Sequence, residues 1–263
     1  IKENQTDKNK TLIYLYSTNK TDQFAYIEKA KSKGYDVLLL DGQLDIHLVN
    51  HLETKLKESR FVRVDSDVID KLIQKDDTRE LKLTAEQQED LRNVFHGPLK
   101  SKDHYYVTFE ALDENDYPVI ITRSEFMRRM KDMSQLGGGG MGFYGELPDS
   151  YNLVINGHHK LIEKVKGELY ESMDEKLRDN DAGRNRLKEE ISFLENEHKD
   201  RKPEEITQVE KDDLEKLRKE LEDLNNSRKE MLEAFGSGNS TVKQITDLAL
   251  LANNMLKGEE LSR

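Results

Sequence analysis

The chain has 263 residues with net charge −11 and 36% charged residues, an acidic balance that argues against general nucleic-acid binding, which favours a basic footprint. It has no cysteine, so disulfides and cysteine-ligated metals are excluded. No apolar run approaches the roughly 20 residues needed to span a bilayer. Apolar patterning is dense over residues 11–72 and 91–162, whereas 171–235 is mostly charged. This contrast predicts packed domains carrying a solvated helical appendage. The opening IKENQTDKNK shows neither Met nor a signal peptide and reads as an internal segment of a larger protein.

TLIYLYS (Thr11 to Ser17) is a short β-branched and aromatic run, hence a strand. TDQFAYIEKAKSKG places Phe24, Ile27 and Ala30 at helical spacing with Gly34 as its stop. DVLLLD predicts a second buried strand, DIHLVNHLETKLKE a helix with Ile46, Val49, Leu52 and Leu56 on one stripe, and FVRVD a third strand. A β-α-β-α-β order implies a small parallel sheet with right-handed crossovers.

DSDVIDKLIQKDDTRELK reads as a polar linker. TAEQQEDLRNVFHG is a helix with Thr84 and Gln87 as a capping pair and Gly97 as a stop. HYYVTFEAL and YPVIIT are strands joined by the turn DEND, followed by a helix over RSEFMRRMKDMSQL, a glycine run, the strand YNLVIN and a helix opened by His158 and His159. Residues 80–170 therefore read as α+β. Leu187, Ile191, Leu194 and His198, then Leu214, Leu217, Leu221, Leu224, Arg228 and Met231, repeat three-four spacing on either side of Pro203, which predicts a charged helical hairpin packed on itself. GSGNS (Gly236 to Ser240) predicts a flexible joint, and STVKQITDLALLANNML a last amphipathic helix capped by Ser240 or Thr241.

Chemistry is sparse. The turn STNKTD after the first strand lacks the glycines that let backbone approach a pyrophosphate, which weighs against a nucleotide-binding α/β enzyme. GGGGMGFYG follows a helix and lacks the Gly-Lys-Ser/Thr of a phosphate loop. His47 and His51 share a helix face, but HLVNH lacks the glutamate of the zinc-protease motif and a third ligand. No catalytic or metal residues are assigned.

The helix from Ser124 to Leu136 is unusual. Phe126, Met127, Met130, Met133 and Leu136 fall on one half, Arg128, Lys131, Asp132 and Gln135 on the other, and Thr122 with Glu125 offers a capping box. Methionine specifies a rigid core poorly and suits surfaces that accept varied apolar partners. The residues leave two readings open: a core stripe, as in a purely structural dimerization module, or an exposed binding surface extended by Met141, Phe143 and Tyr144. In the last helix, Val242, Ile245, Leu248, Leu251 and Met255 form one stripe, widened by Leu250 and Leu256; such a stripe needs its own domain or a second copy to cover it.

KTLIYLYSTNK, GYDVLLLDGQLDIHLVNHL, PVIITRSEFMRRMKDMSQ and DLALLANNML, in this order, resemble blocks in the C-terminal half of the bacterial ninety-kilodalton heat-shock chaperones of the HtpG type. The resemblance covers most of residues 1–170 and 238–263. It implies that residues 1–76 are the α/β end of a middle domain. Residues 80–263 would then be a C-terminal dimerization domain with a charged insertion at about 174–235. It further implies a cytoplasmic, ATP-driven homodimeric chaperone acting on partly folded clients, with ATP and magnesium bound in an N-terminal domain elsewhere, so that this segment is neither an enzyme nor a cofactor binder. The methionine helix and Met141, Phe143 and Tyr144 would contact clients, and Val242 to Met255 would pair two chains. The insertion departs from the commonest family pattern. The chain also stops before the helix that completes the family's four-helix bundle.

Overall fold

The computed structural model describes residues 3–42, 44–75, 79–99, 104–123, 150–199, 201 and 206–256. It combines α/β and α+β parts in two compact units. Ile1–Leu83, Leu99–Ile162 and Gln244–Arg263 make the first unit; Thr84–Pro98 and Glu163–Lys243 make the second.

The first unit holds two three-stranded sheets. In one, β1 (Leu12–Ser17) lies between β2 (Val37–Leu39) and β3 (Ser59–Arg63), parallel to both. The crossovers are α1 (Phe24–Ser32) and α2 (Asp45–Lys55). Side chains alternate across a strand, and β1 shows the result. Ile13 and Leu15 join Ile27, Ala30 and Val64 on one face, while Tyr14 and Tyr16 join Val49 and Phe61 on the other. Tyr14 stacks on its cross-strand partner Phe61 with ring centroids 4.9 Å apart. Gly34 ends α1 at φ 76°, a left-handed position that glycine adopts without strain.

Two expectations for this sheet are corrected. β2 is an edge strand of three residues with Leu39 half exposed, because only β1 has neighbours on both sides. The supposed polar linker carries a short helix, α3 (Ile69–Leu72), and Val68, Ile69, Leu72 and Ile73 are buried. Ile69, Leu72 and Ile73 extend the core beneath β1.

The second sheet takes the order β4 (Tyr105–Glu110), β6 (Tyr151–Asn156), β5 (Val119–Arg123). β4 runs parallel to β6, and β5 antiparallel to it. The DEND turn thus joins two strands that do not pair with each other, because β6 inserts between them. β6 fits that central place, with Leu153, Val154 and Ile155 all buried.

The second unit is built on α4 (Ala85–His96), α5 (Lys160–Lys199) and α6 (Gln208–Gly238). α4 opens with the expected reciprocal cap: Gln87 N donates to Thr84 Oγ1 at 3.2 Å and Thr84 N to Gln87 Oε1 at 3.1 Å. α6 repeats the device with Thr207 and Glu210. The hairpin is present, but its first arm is a single 40-residue helix continuous with the segment opened at His158.

The expected joint at Gly236 to Ser240 is helix instead. α6 runs to Gly238, and only Asn239 separates it from α7 (Ser240–Ala252). Asn239 is also the cap that was expected at Ser240 or Thr241, its Oδ1 accepting from Val242 N at 3.0 Å. Gly97 follows α4 as expected, yet with φ −50°, so it is not a left-handed stop. Its small size serves packing: a Cβ there would lie 2.2 Å from the Glu233 carbonyl oxygen of α6.

Candidate functional site

The terminal helix α7 divides its apolar residues between two surroundings. Val242, Ile245, Ala249 and Leu250 are buried within the chain, whereas Leu248 is 54% and Leu251 48% exposed. Met255 lies past the helix end, partly buried, with its N–H bonded to Leu250 O at 2.9 Å. In the first unit, Ile245, Leu248, Ala249 and Ala252 line an apolar cavity of about 190 Å³ together with Val64 and Ile121. Tyr26 of α1 fixes the helix end. Its hydroxyl contacts the Ile121 carbonyl oxygen and stands 2.7 Å from Asn253 Oδ1. Burial pushes this phenol's pKa well above its usual range, and the neighbouring Asn253 opposes that push. Asn254 adds a bond to Asp22 Oδ1 at 3.2 Å. The stripe expected at a dimer interface is therefore two surfaces: Val242 and Ile245 face inward, and Leu248 and Leu251 meet solvent.

Phe126, Met127, Met130, Met133, Leu136, Met141, Phe143 and Tyr144, the residues expected to contact clients, lie outside the described residues. The strand leading to them is well anchored. Arg123 N donates to Asp65 O at 2.9 Å, and its guanidinium sits 5.5 Å from the centroid of the Tyr151 ring. Thr122 is a fully buried residue of β5, and Glu125, its partner in the expected capping box, lies outside the described residues.

The turn after β1 is closed by its own side chains. Gln23 Oε1 accepts from Ser17 Oγ at 2.8 Å, Thr18 N at 2.8 Å and Asn19 N at 3.1 Å. Asn19 Oδ1 takes Thr21 N and Asp22 N. The backbone donors that cradle a phosphate in nucleotide-binding βαβ units are here satisfied internally.

His47 and His51 are exposed on α2. Among the described residues no three of His, Asp and Glu cluster as metal ligands. His158 and His159 do open the following helix: His158 Nε2 contacts Glu80 O at 2.9 Å, and His159 Nδ1 accepts from Leu161 N at 3.0 Å. Desolvation lowers the pKa of His159, with neighbouring Lys160 adding to the effect.

Sequence reading missed a buried polar network in the second unit. Arg228 of α6 grips Asp90 of α4 through two parallel bonds, Nε to Oδ1 at 3.1 Å and Nη2 to Oδ2 at 3.0 Å. It reaches Asp181 of α5 through Nη1 at 2.9 Å, while Tyr170 donates to Asp90 Oδ2 at 3.0 Å. Burial pushes the Asp90 carboxyl up, and Arg228 and Tyr170 oppose that push. The available signal was Arg228 itself, a charged residue in register with an otherwise apolar stripe.

A family model of the Hsp90 protein matches residues 2–183. The chain belongs to the Hsp90 family. The protein of Bacteroides thetaiotaomicron named chaperone protein HtpG is 46% identical over 264 residues, covering 100% of this chain and 39% of that protein. A Bacteroides fragilis chaperone protein HtpG gives the same figures. That of Porphyromonas gingivalis is 44% identical over 260 residues, covering 98% of this chain and 38% of its own length. This Hsp90 chain thus spans about 39% of the length of the first relatives.

The hairpin of this Hsp90 chain reaches past the family match, which ends at residue 183. The HtpG relatives nevertheless align across the whole chain. No described helix of the chain is long and apolar enough to cross a membrane.

Proposed function

We propose that this chain is a client-holding and chain-pairing part of an Hsp90-type molecular chaperone. The carrying observation is the 46% identity along the entire chain to proteins named chaperone protein HtpG. Residues 1–76 act as the end of the middle domain and 80–263 as the dimerization domain. Partly folded proteins bind the methionine stripe of Phe126, Met127, Met130, Met133 and Leu136, with Met141, Phe143 and Tyr144 extending the contact. The physical basis is adaptable apolar burial, at about 25 cal/mol per Å², offset by the cost of ordering both partners.

Two copies pair through the terminal helix. Two exposed leucines three residues apart, Leu248 and Leu251, support that reading. ATP and magnesium act elsewhere in the parent chaperone, so this part carries no catalytic residue of its own. The internally satisfied turn at Gln23 supports the same division of labour. The parent works in the cytoplasm.

Suppression of aggregation tests the proposal. The chain slows aggregation of a thermally unfolding protein, and Met127→Ser, Met130→Ser and Met133→Ser together abolish the effect while circular dichroism stays unchanged. Equal protection by the folded variant contradicts it. Loss of folding in the variant favours the structural reading instead, since truncating buried Met costs about 2–5 kcal/mol.

A further inference from the structure

The helical hairpin carries a surface that its own packing does not explain. Its buried seam uses Leu187 and Ile191 of α5. Phe193, two residues on from Ile191, faces away from that seam and is 63% exposed. It is not an isolated aromatic on a charged helix. Phe193, the half-buried Leu194 and the half-buried Leu217 of α6 line one groove of about 750 Å³, bordered by Glu189, Glu190, Asp213, Glu220 and Lys216.

The rim of this groove is strongly acidic, with four carboxylates among its lining residues. Some charges of the hairpin are paired: Arg218 with Glu195 across the two arms at 2.6 Å, Arg201 with Glu210 at 2.7 Å, and Arg184 with Asp181 within α5 at 3.0 Å. Around Phe193, none of the four carboxylates makes an ion pair or hydrogen bond among the described residues. Lys216 is the one cation among the described residues that line the groove. An apolar floor with a net acidic rim is complementary to an amphipathic segment whose apolar anchors are flanked by Lys or Arg. A second copy of this groove fits poorly, because it would set carboxylates against carboxylates.

We propose that the Phe193–Leu194–Leu217 groove is a docking site for a basic amphipathic polypeptide helix, with Phe193 as the apolar anchor and Glu189, Glu190, Asp213 and Glu220 as the charge selectors. The groove shares no residue with the methionine stripe or with α7, so it stands or falls apart from the chaperone reading.

Fluorescence anisotropy with the full chain tests it, using a labelled helical peptide of leucine and lysine with the leucines on one face. The peptide binds, added salt weakens it, and the glutamate-for-lysine version does not bind. Phe193→Ser lowers affinity about tenfold, the size expected for truncating an anchor. Changing Glu189 and Glu190 to Gln, Asp213 to Asn and Glu220 to Gln together has a comparable effect. These positions are exposed, and circular dichroism confirms folding of each variant. No binding overturns the proposal. Loss on charge neutralisation with Phe193→Ser unaffected also overturns it, because that pattern describes a diffuse acidic surface without a groove.

Discussion

Gly236 and Val94 bring two helices into backbone contact: a Cβ built on Gly236 would stand 1.8 Å from the Val94 carbonyl oxygen. A glycine that looks like a hinge in the sequence is therefore a packing device between α6 and α4. Gly97 does the same from the other helix, opposite Glu233.

The contact predicts opposite outcomes at two nearby glycines. Gly236→Ala forces the helices apart and destabilises the chain by at least the about 1–3 kcal/mol typical of overpacking. Gly238→Ala has open space around its Cβ, and it is neutral or stabilises by up to about 1 kcal/mol through helix propensity. Urea denaturation of the two variants reads the difference. Equal effects would mean that the helices do not meet at Gly236.

Arg228 predicts a larger loss. Its side chain is 8% exposed and that of Asp90 only 2%. Arg228→Met leaves Asp90 buried without its cation, which costs about 3–5 kcal/mol. Pairing it with Asp90→Leu recovers much of the loss, since two apolar groups leave no charge unmatched. A double mutant no better than the single one would show that the network, not the pair, carries the stability.

Glu210 gives a pH signature at the start of α6. Hydrogen bonds from Arg201 and from Thr207 hold its carboxyl down to about 2, against a usual 4.5. A carboxylate depressed by folding stabilises above its unfolded pKa, and that contribution fades as pH falls from about 4.5 through about 2. Carboxyl carbon shifts followed by NMR should place the Glu210 midpoint near the lower value in the native chain. Thr207→Ala moves it upward. A midpoint near 4.5 in the native chain contradicts the cap.

Pairing through α7 predicts concentration-dependent self-association in sedimentation. Replacing Leu248 and Leu251 with Asp removes it and leaves the thermal transition in place, because both leucines are exposed. The same replacement at Val242 or Ile245, which are buried, unfolds the terminal helix. Self-association that survives the Leu248 and Leu251 changes places the interface elsewhere.

The parallel sheet was legible because TLIYLYS and FVRVD are β-branched runs whose alternation matches both faces of β1 and β3. Thr84 and Gln87 were legible because a reciprocal cap is local chemistry. The core role of Val68, Ile69, Leu72 and Ile73 was hidden by the Asp and Lys residues interleaved with them. The insertion of β6 between β4 and β5 was not legible, because strand pairing across a long separation leaves no local pattern. Gly236 misled for a related reason: its neighbour Val94 is distant in the chain. At α7, periodicity defined an apolar stripe but not what covers each part of it. Only the fold separates inward Ile245 from outward Leu248.

The central claim, that partly folded proteins are held on the methionine stripe, is tested most directly by hydrogen exchange. The measurement uses the chain with and without a reduced, carboxymethylated model protein. Client holding at this stripe slows exchange over residues 124–136, with little change in the strands of the first unit. Full exchange over 124–136 at saturating client, with protection appearing elsewhere, would contradict it.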